Sequence, residues 1–238
     1  MRQCALLAPL PKSSWSPQFP RKSGNKLAAK KEDRGQQKTM PMSLFPTIKG
    51  PGGRRMETLR RYSFIDMARL LEVDSDVVFW TTQAETVLVT DDDRTFPYKP
   101  DFQVEHKDGS RSVIRIIAGR NGVSVPPKNR EAAALHYEEQ GIRFRGMTED
   151  EVSSHPYLRD ACLILAHRCL DWPDEALFVL AQGNEQTMGD AHETLGGTEQ
   201  AWFWLITLIG LGHIEVPFGM PLSRKTEILS ISLKGYEQ

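Results

Sequence analysis

The segment that most constrains this chain runs from Tyr98 to Ile117. Tyr98-Lys99-Pro100-Asp101-Phe102 leads into a β-rich run through Glu105, Lys107-Asp108-Gly109-Ser110 supplies a turn, and Ser112 to Ile117 returns. Asp-Gly between two strand-like runs is a specific local signal for an antiparallel hairpin, because both residues tolerate the positive φ that a tight turn demands. Whatever else the chain does, its fold has to accommodate this strand–turn–strand unit.

The flanking segments say how. Phe64, Met67, Leu70 and Leu71 follow helical spacing from Ser63, a reasonable N-cap, to Val73. Val77 to Trp80 reads as a buried strand, Glu85 to Thr90 is β-rich, and Asp91-Asp92-Asp93 supplies a turn. Gly119 to Pro127 reads as a loop. A helix over 128–140 follows, entered at Pro127 and stopped by Gly141 in the left-handed C′ position. Ile142 to Arg145 alternates as a strand does. Thr148-Glu149-Asp150-Glu151 matches a capping box, and another helix runs from Pro156 to about Leu170. Helix, three strands, helix, strand, helix predicts an α/β domain with a mixed sheet flanked by helices.

Beyond Trp172-Pro173 the pattern changes. Asp174–Ala181 is helical, Thr187 caps a helix through Leu195, and Thr198 caps a long helix that ends at Gly212. Strands are expected at Ile214–Val216 and Thr226–Ile231. Three helices followed by a two-stranded ribbon predicts a winged-helix-like α+β module; a plain helical extension is the alternative.

The chain has 238 residues, enough for one medium domain or two small ones, and its net charge of −1 conceals a division. Residues 1–61 carry 14 Lys/Arg against 3 Asp/Glu, whereas the rest carry 16 against 28. Residues 1–55 also hold seven prolines and no sustained periodicity. Such a segment buries too little apolar surface to offset its ordering entropy, so it is expected to be a disordered basic arm that contacts phosphate or folds back on the acidic body. Met40, Met42 and Met56 are each alternative starts. The expected division is an arm over 1–56, an α/β domain over 57–172 and the C-terminal module over 173–238.

Cys4, Cys162 and Cys169 form no metal or disulfide framework and read as thiols in a reducing compartment. The longest apolar stretch, Ala201 to Leu211, is too short to span a bilayer, and the N-terminus makes a poor signal peptide. The cytoplasm and no membrane partner are expected. The six histidines are scattered. Trp202 and Trp204 read as core packing, and Gly119–Gly122 as a turn rather than a phosphate loop.

Two segments resemble the TnsA-type transposon endonuclease family, within the wider group of restriction-endonuclease-like nucleases. Leu70-Leu71-Glu72-Val73-Asp74-Ser75-Asp76-Val77-Val78 is similar to that family's helix ending in an "LLEFDPxV" run, with Gln83 placed like the Gln of its "EQP" element and Ala84 where that element has Pro. Tyr98-Lys99-Pro100-Asp101-Phe102-Gln103-Val104 resembles its "Y-x-PDF-x-V" strand. The resemblance covers about residues 57 to 170 and implies a restriction-endonuclease-like fold. It further implies DNA as ligand, transposase-type protein partners and, in an active member, a magnesium-dependent endonuclease.

Cutting a phosphodiester at neutral pH needs a divalent metal held by acidic oxygens, to activate water and neutralise the phosphate. By the resemblance, one acid comes from the first strand, a Glu or Gln and a Lys from alternate positions of the return strand, and another acid from the preceding helix. Asp101 keeps the first role. Arg115 stands at the Glu/Gln place, Ile117 at the Lys place and Phe64 at the helical acid's place; Asp66 is roughly 200° around the helix from it. A cation at 115 repels a metal and invites an ion pair with Asp101. The site therefore reads as vestigial, with no cofactor. A remodelled site would recruit Glu105 or Glu85 beside Asp101, with Lys99 and Lys107 nearby and magnesium as its metal. For DNA, Arg120, Lys128, Arg130, Arg143 and Arg145 are the groove candidates, against ordinary solvated charge. The long helix over 198–211 is the place for a recognition helix, but its apolar content favours core or protein contacts. Three functions stay open: a degenerate nuclease-like protein that binds DNA or assembles with partners, an active endonuclease with a remodelled site, and an interaction protein without DNA affinity.

Overall fold

The computed structural model describes residues 42–50, 54–91, 94–118, 127–168 and 172–233, which fall in one compact unit. Its centre is a four-stranded mixed sheet. Strands β3 (Val77–Thr81), β6 (Phe102–His106) and β7 (Arg111–Ile117) run antiparallel in that order, and β8 (Arg143–Thr148) lies parallel beside β7. A parallel neighbour requires a crossover, and helix α2 (Pro127–Glu139) supplies it. The turn joining β6 to β7 is closed by His106 N–H donating to Ser110 O, with Gly109 at φ +79° as the Asp-Gly signal requires.

Alternation along the strands gives the sheet two apolar faces. On one, Trp80, Phe102, Val104, Ile114 and Ile116 pack under Met67, Ala68 and Leu71 of α1 (Tyr62–Val73). On the other, Val113 and Phe144 meet Ala132, Ala133 and Tyr137 of α2. Tyr98 and Val89 join that second cluster from a separate hairpin, β4 (Val87–Asp91) with β5 (Arg94–Tyr98). The capping box forms as expected, Thr148 and Glu151 exchanging bonds at the start of α3 (Glu149–Ser153). At α1, Ser63 is not the cap. Arg61 holds that position without a side-chain bond, and Ser63 Oγ instead donates to Glu149, 3.3 Å away.

The expectation of disorder up to residue 56 fails for its described part. Strands β1 (Ser43–Thr47) and β2 (Arg55–Leu59) pair antiparallel, and the ribbon is bolted to the body. The bolt is Glu72, buried on the inner side of α1. Its carboxylate accepts from Thr47 Oγ1 (2.6 Å), Ile48 N–H (2.9 Å), Trp80 Nε1 (2.8 Å) and Arg168 (2.8 Å). Lys49 Nζ donates to the carbonyls of Asp74 and Val77. Pro46 is tolerated because β1 is an edge strand. The ribbon's order comes from these docking contacts and not from its own pattern, which is why periodicity missed it. Residues 1–41 lie outside the described residues.

The C-terminal elements are α4 (Leu158–His167), α5 (Asp174–Gln182), α6 (Met188–Thr194), α7 (Glu199–Leu211) and the ribbon of β9 (Ile214–Glu215) with β10 (Ser230–Ile231). A bridge between Thr187 and Glu227 adds a third short rung. The strand expected over Thr226–Ile231 is thus only partly regular. Residues 173–233 share a core with the sheet domain: Leu70, Tyr157, Ala161 and Ile164 pack against Ile206 of α7. Helices α4 and α7 approach closely at Gly210, where an added Cβ would lie 3.0 Å from the carbonyl of Ile164.

Candidate functional site

Asp101 sits one residue before β6 and is held from three sides. Its N–H donates to Ile114 O (2.9 Å), Oδ2 accepts from Ile116 N–H (2.7 Å), and Oδ1 accepts from the Arg115 guanidinium (3.1 Å). The same Arg115 nitrogen also donates to Lys99 O, 3.1 Å away. The expected ion pair is therefore formed, and both carboxylate oxygens have partners before any ligand arrives. Burial pushes the Asp101 carboxyl above its ordinary range, while Arg115, the Ile116 N–H and Arg61 pull it back.

Around this pair the chain folds a cleft of about 390 Å³. Its walls are Thr58 and Arg60 at the end of β2, Phe64 in the first turn of α1, Thr82 and Gln83 after β3, then Lys99, Pro100, Asp101 and Arg115. Five positions singled out in sequence (Phe64, Gln83, Lys99, Asp101 and Arg115) thus come together. Ile117 does not line the cleft; it pairs with Thr148 farther along β7. Arg60 falls within the α/β domain expected from residue 57, but no local pattern marks it; its place directly after β2 carries it to the cleft.

The remodelled metal site is not assembled. Glu105 lies four residues along the strand from Asp101, roughly 13 Å at strand rise, in register with Phe79 and Arg111. Glu85 is exposed in the segment before β4. Among the described residues no group of three or more His, Cys, Asp or Glu side chains is placed to hold a metal ion. Lys107 pairs with Glu215 instead.

The proposed groove of arginines and lysines divides between two faces. Arg145 is in register with Ile114 and lines a small cavity with Met67 and Leu70 on the α1 side, and Arg143 points the same way, donating to Ser110 Oγ (2.9 Å). Lys128 and Arg130 belong to α2 on the opposite face. Lys128 lines a hollow with Asp91, Glu131 and Glu139, an acidic setting unsuited to phosphate. These four residues make no single groove, because alternation along β8 turns its arginines away from α2. Arg120 lies outside the described residues.

A second constellation is chemically suggestive. Ser112 Oγ lies 2.9 Å from His106 Nε2, and His106 Nδ1 lies 2.8 Å from Asp76 Oδ2. The order matches a hydrolase triad, but Ser112, the second residue of β7, is 3% exposed. That strand is bonded to β6 and β8 on either side, so its N–H groups are committed to the sheet instead of an oxyanion. The chain of bonds ties the β6–β7 hairpin to the start of β3.

In α7 no residue from Ala201 to Leu211 is exposed, since Leu205 and Leu208 face α5 and α6 while Ile206 faces α4. Such a helix packs; it does not enter a groove. No described helix is long and apolar enough to cross a membrane. Compared with known proteins, the chain matches no protein-family model and no curated protein.

Proposed function

We propose that this chain is a TnsA-like, restriction-endonuclease-like protein that has lost metal-dependent cutting and works by binding DNA or assembling with partners in a transposition-type system. The observation that carries the reading is the Asp101–Arg115 ion pair, at 3.1 Å, inside the cleft where the resemblance places the metal ligands. A guanidinium so close to the one retained acid opposes a divalent cation there. The order of α1, three antiparallel strands, α2 and a parallel fourth strand supports the nuclease-like fold. Three helices followed by a ribbon, with the Thr187–Glu227 bridge, support a winged-helix-like module whose long helix serves packing.

Supercoiled plasmid incubated with magnesium or manganese is expected to stay intact. Nicking by the wild-type protein that disappears in Asp101→Ala would restore the active-endonuclease reading. Salt-dependent DNA binding is expected both for the full chain and for a chain beginning at Met42. Binding confined to residues 1–41 would make the folded body an interaction protein instead.

A further inference from the structure

We infer that the Asp101–Arg115 cleft is a metal-independent site for a nucleoside phosphate, its phosphate held by Arg60, Lys99 and Arg115 and its base laid on Phe64. The lining contains three cations and one acid, and that acid is already satisfied within the protein. Among the described residues, neither Arg60 nor Lys99 has an ion-pair partner for its side chain, and Arg115 commits only one of its nitrogens. Arg60 and Lys99 are exposed, so both charges are open to an arriving anion. This positive surplus is local, since residues 62–238 carry 16 Lys/Arg against 28 Asp/Glu.

Two further observations favour a phosphate that carries a base. Helix α1, 12 residues long, starts at the rim with no side-chain cap; Glu149 reaches Ser63 and Arg61 there but does not line the cleft, so the positive end of the helix is only partly met. Phe64 lines the cleft with its ring half-buried, and Arg61 lies 5.6 Å over the same ring. Aromatic rings and guanidinium planes are the surfaces on which unpaired bases stack. A volume of about 390 Å³ suits one nucleotide. The site stands on its own side chains and rests on the DNA-holding reading only in assigning the phosphate to nucleic acid. The same chemistry is presented by a free nucleotide and by the 5′-phosphorylated end of a DNA strand.

The test uses the full chain in EDTA, with thymidine 5′-monophosphate and a fluorescent 5′-phosphorylated oligodeoxythymidine as probes. The doubly substituted Arg60→Ala/Lys99→Ala chain, altered only at exposed positions, is expected to bind both about tenfold or more weakly at an unchanged thermal midpoint. Asp101→Asn, which removes the only acid, is expected to bind more tightly. Competition by the monophosphate but not by thymidine supports the site, and equal competition by inorganic phosphate overturns the role given to Phe64. Binding of the oligonucleotide alone assigns the ligand to a strand end; equal binding of both assigns it to the nucleotide unit itself. Unchanged affinity in Arg60→Ala/Lys99→Ala, or binding that requires magnesium, overturns the proposal. Duplex binding unaffected by those substitutions overturns this site while sparing the DNA reading. Nucleotide binding by a chain that fails to hold DNA does the reverse.

Discussion

Replacing Glu72 with Gln is expected to be among the most damaging single changes in the body, and its size follows from the contacts. The carboxylate is fully buried, and four donors converge on it: Thr47 Oγ1, Ile48 N–H, Trp80 Nε1 and Arg168. A carboxamide keeps one acceptor oxygen but turns an NH₂ toward two of those donors, so at least one N–H loses its partner, at about 1–3 kcal/mol. It also strands the Arg168 guanidinium, 14% exposed, without a counter-charge. Removing one member of a buried pair costs about 3–5 kcal/mol in all, a large share of the roughly 5–15 kcal/mol that holds a typical domain together. Urea unfolding followed by tryptophan fluorescence should show a midpoint lower by about 1–2 M at a slope near 2–3 kcal/mol/M. Arg168→Met in the same background is expected to cost less than the two single changes added, because no orphan charge remains. A Glu72→Gln loss under about 1 kcal/mol, or strict additivity with Arg168→Met, would refute the hub.

Three other outcomes follow from the same coordinates. Burial lowers the Lys49 amine from its ordinary 10.5 to about 8, so between those values the unfolded chain binds the proton and the folded one does not. Stability should accordingly rise through that window and level off above 10.5, and Lys49→Met should flatten the rise in unfolding midpoints measured across it. Gly210→Ala places a methyl 3.0 Å from Ile164 O and Arg168 Cγ, and is expected to cost about 1–3 kcal/mol by prising α4 from α7; an unchanged thermal midpoint would contradict that close approach. Deleting residues 1–41 should leave the unfolding midpoint in place, whereas deletion through residue 55 removes Thr47, Ile48 and Lys49 from the hub and should lower it sharply, as circular dichroism would read.

Local chemistry was the legible part of this chain. The Asp-Gly turn, Gly141 and Gly212 at positive φ, and the caps at Thr148, Thr187 and Thr198 lie where their residues demanded, because each depends on neighbours within a few positions. Long-range ties were not legible. Glu72 stands at the end of an apolar helical run, an acid out of place, yet its partners are spread from Thr47 to Arg168. Nothing in the proline-bearing stretch before Arg55 announces that it pairs as a ribbon. Pairing Asp101 with Arg115 was readable because both lie on one hairpin whose register the turn fixes. Arg60 reached the same cleft only through the ribbon, and so escaped notice. The arginines of β8 and the basic residues of α2 looked like one groove because sequence proximity carries no sign of the face.

Set against the nuclease pattern that the chain resembles, the residues of the cleft form a consistent electrostatic exchange. A metal-dependent nuclease assembles acids, and the ion they hold supplies the positive charge that meets the phosphate and acidifies the attacking water. In this cleft Phe64 stands where the resemblance places an acid and Arg115 where it places a Glu or Gln, with Arg60 and Lys99 beside them. On the proposed reading, positive charge facing a phosphate is kept, now fixed in side chains. A guanidinium stays protonated throughout the accessible pH range and presents donors without a Lewis-acidic site, so it holds a phosphate without generating hydroxide. On the proposed reading, loss of cutting and retention of phosphate affinity are two consequences of one set of replacements. On this argument Arg115→Glu, which restores an acid at that position beside Asp101, should abolish nucleotide binding in EDTA; nucleotide affinity that survives the change would show that phosphate is held elsewhere.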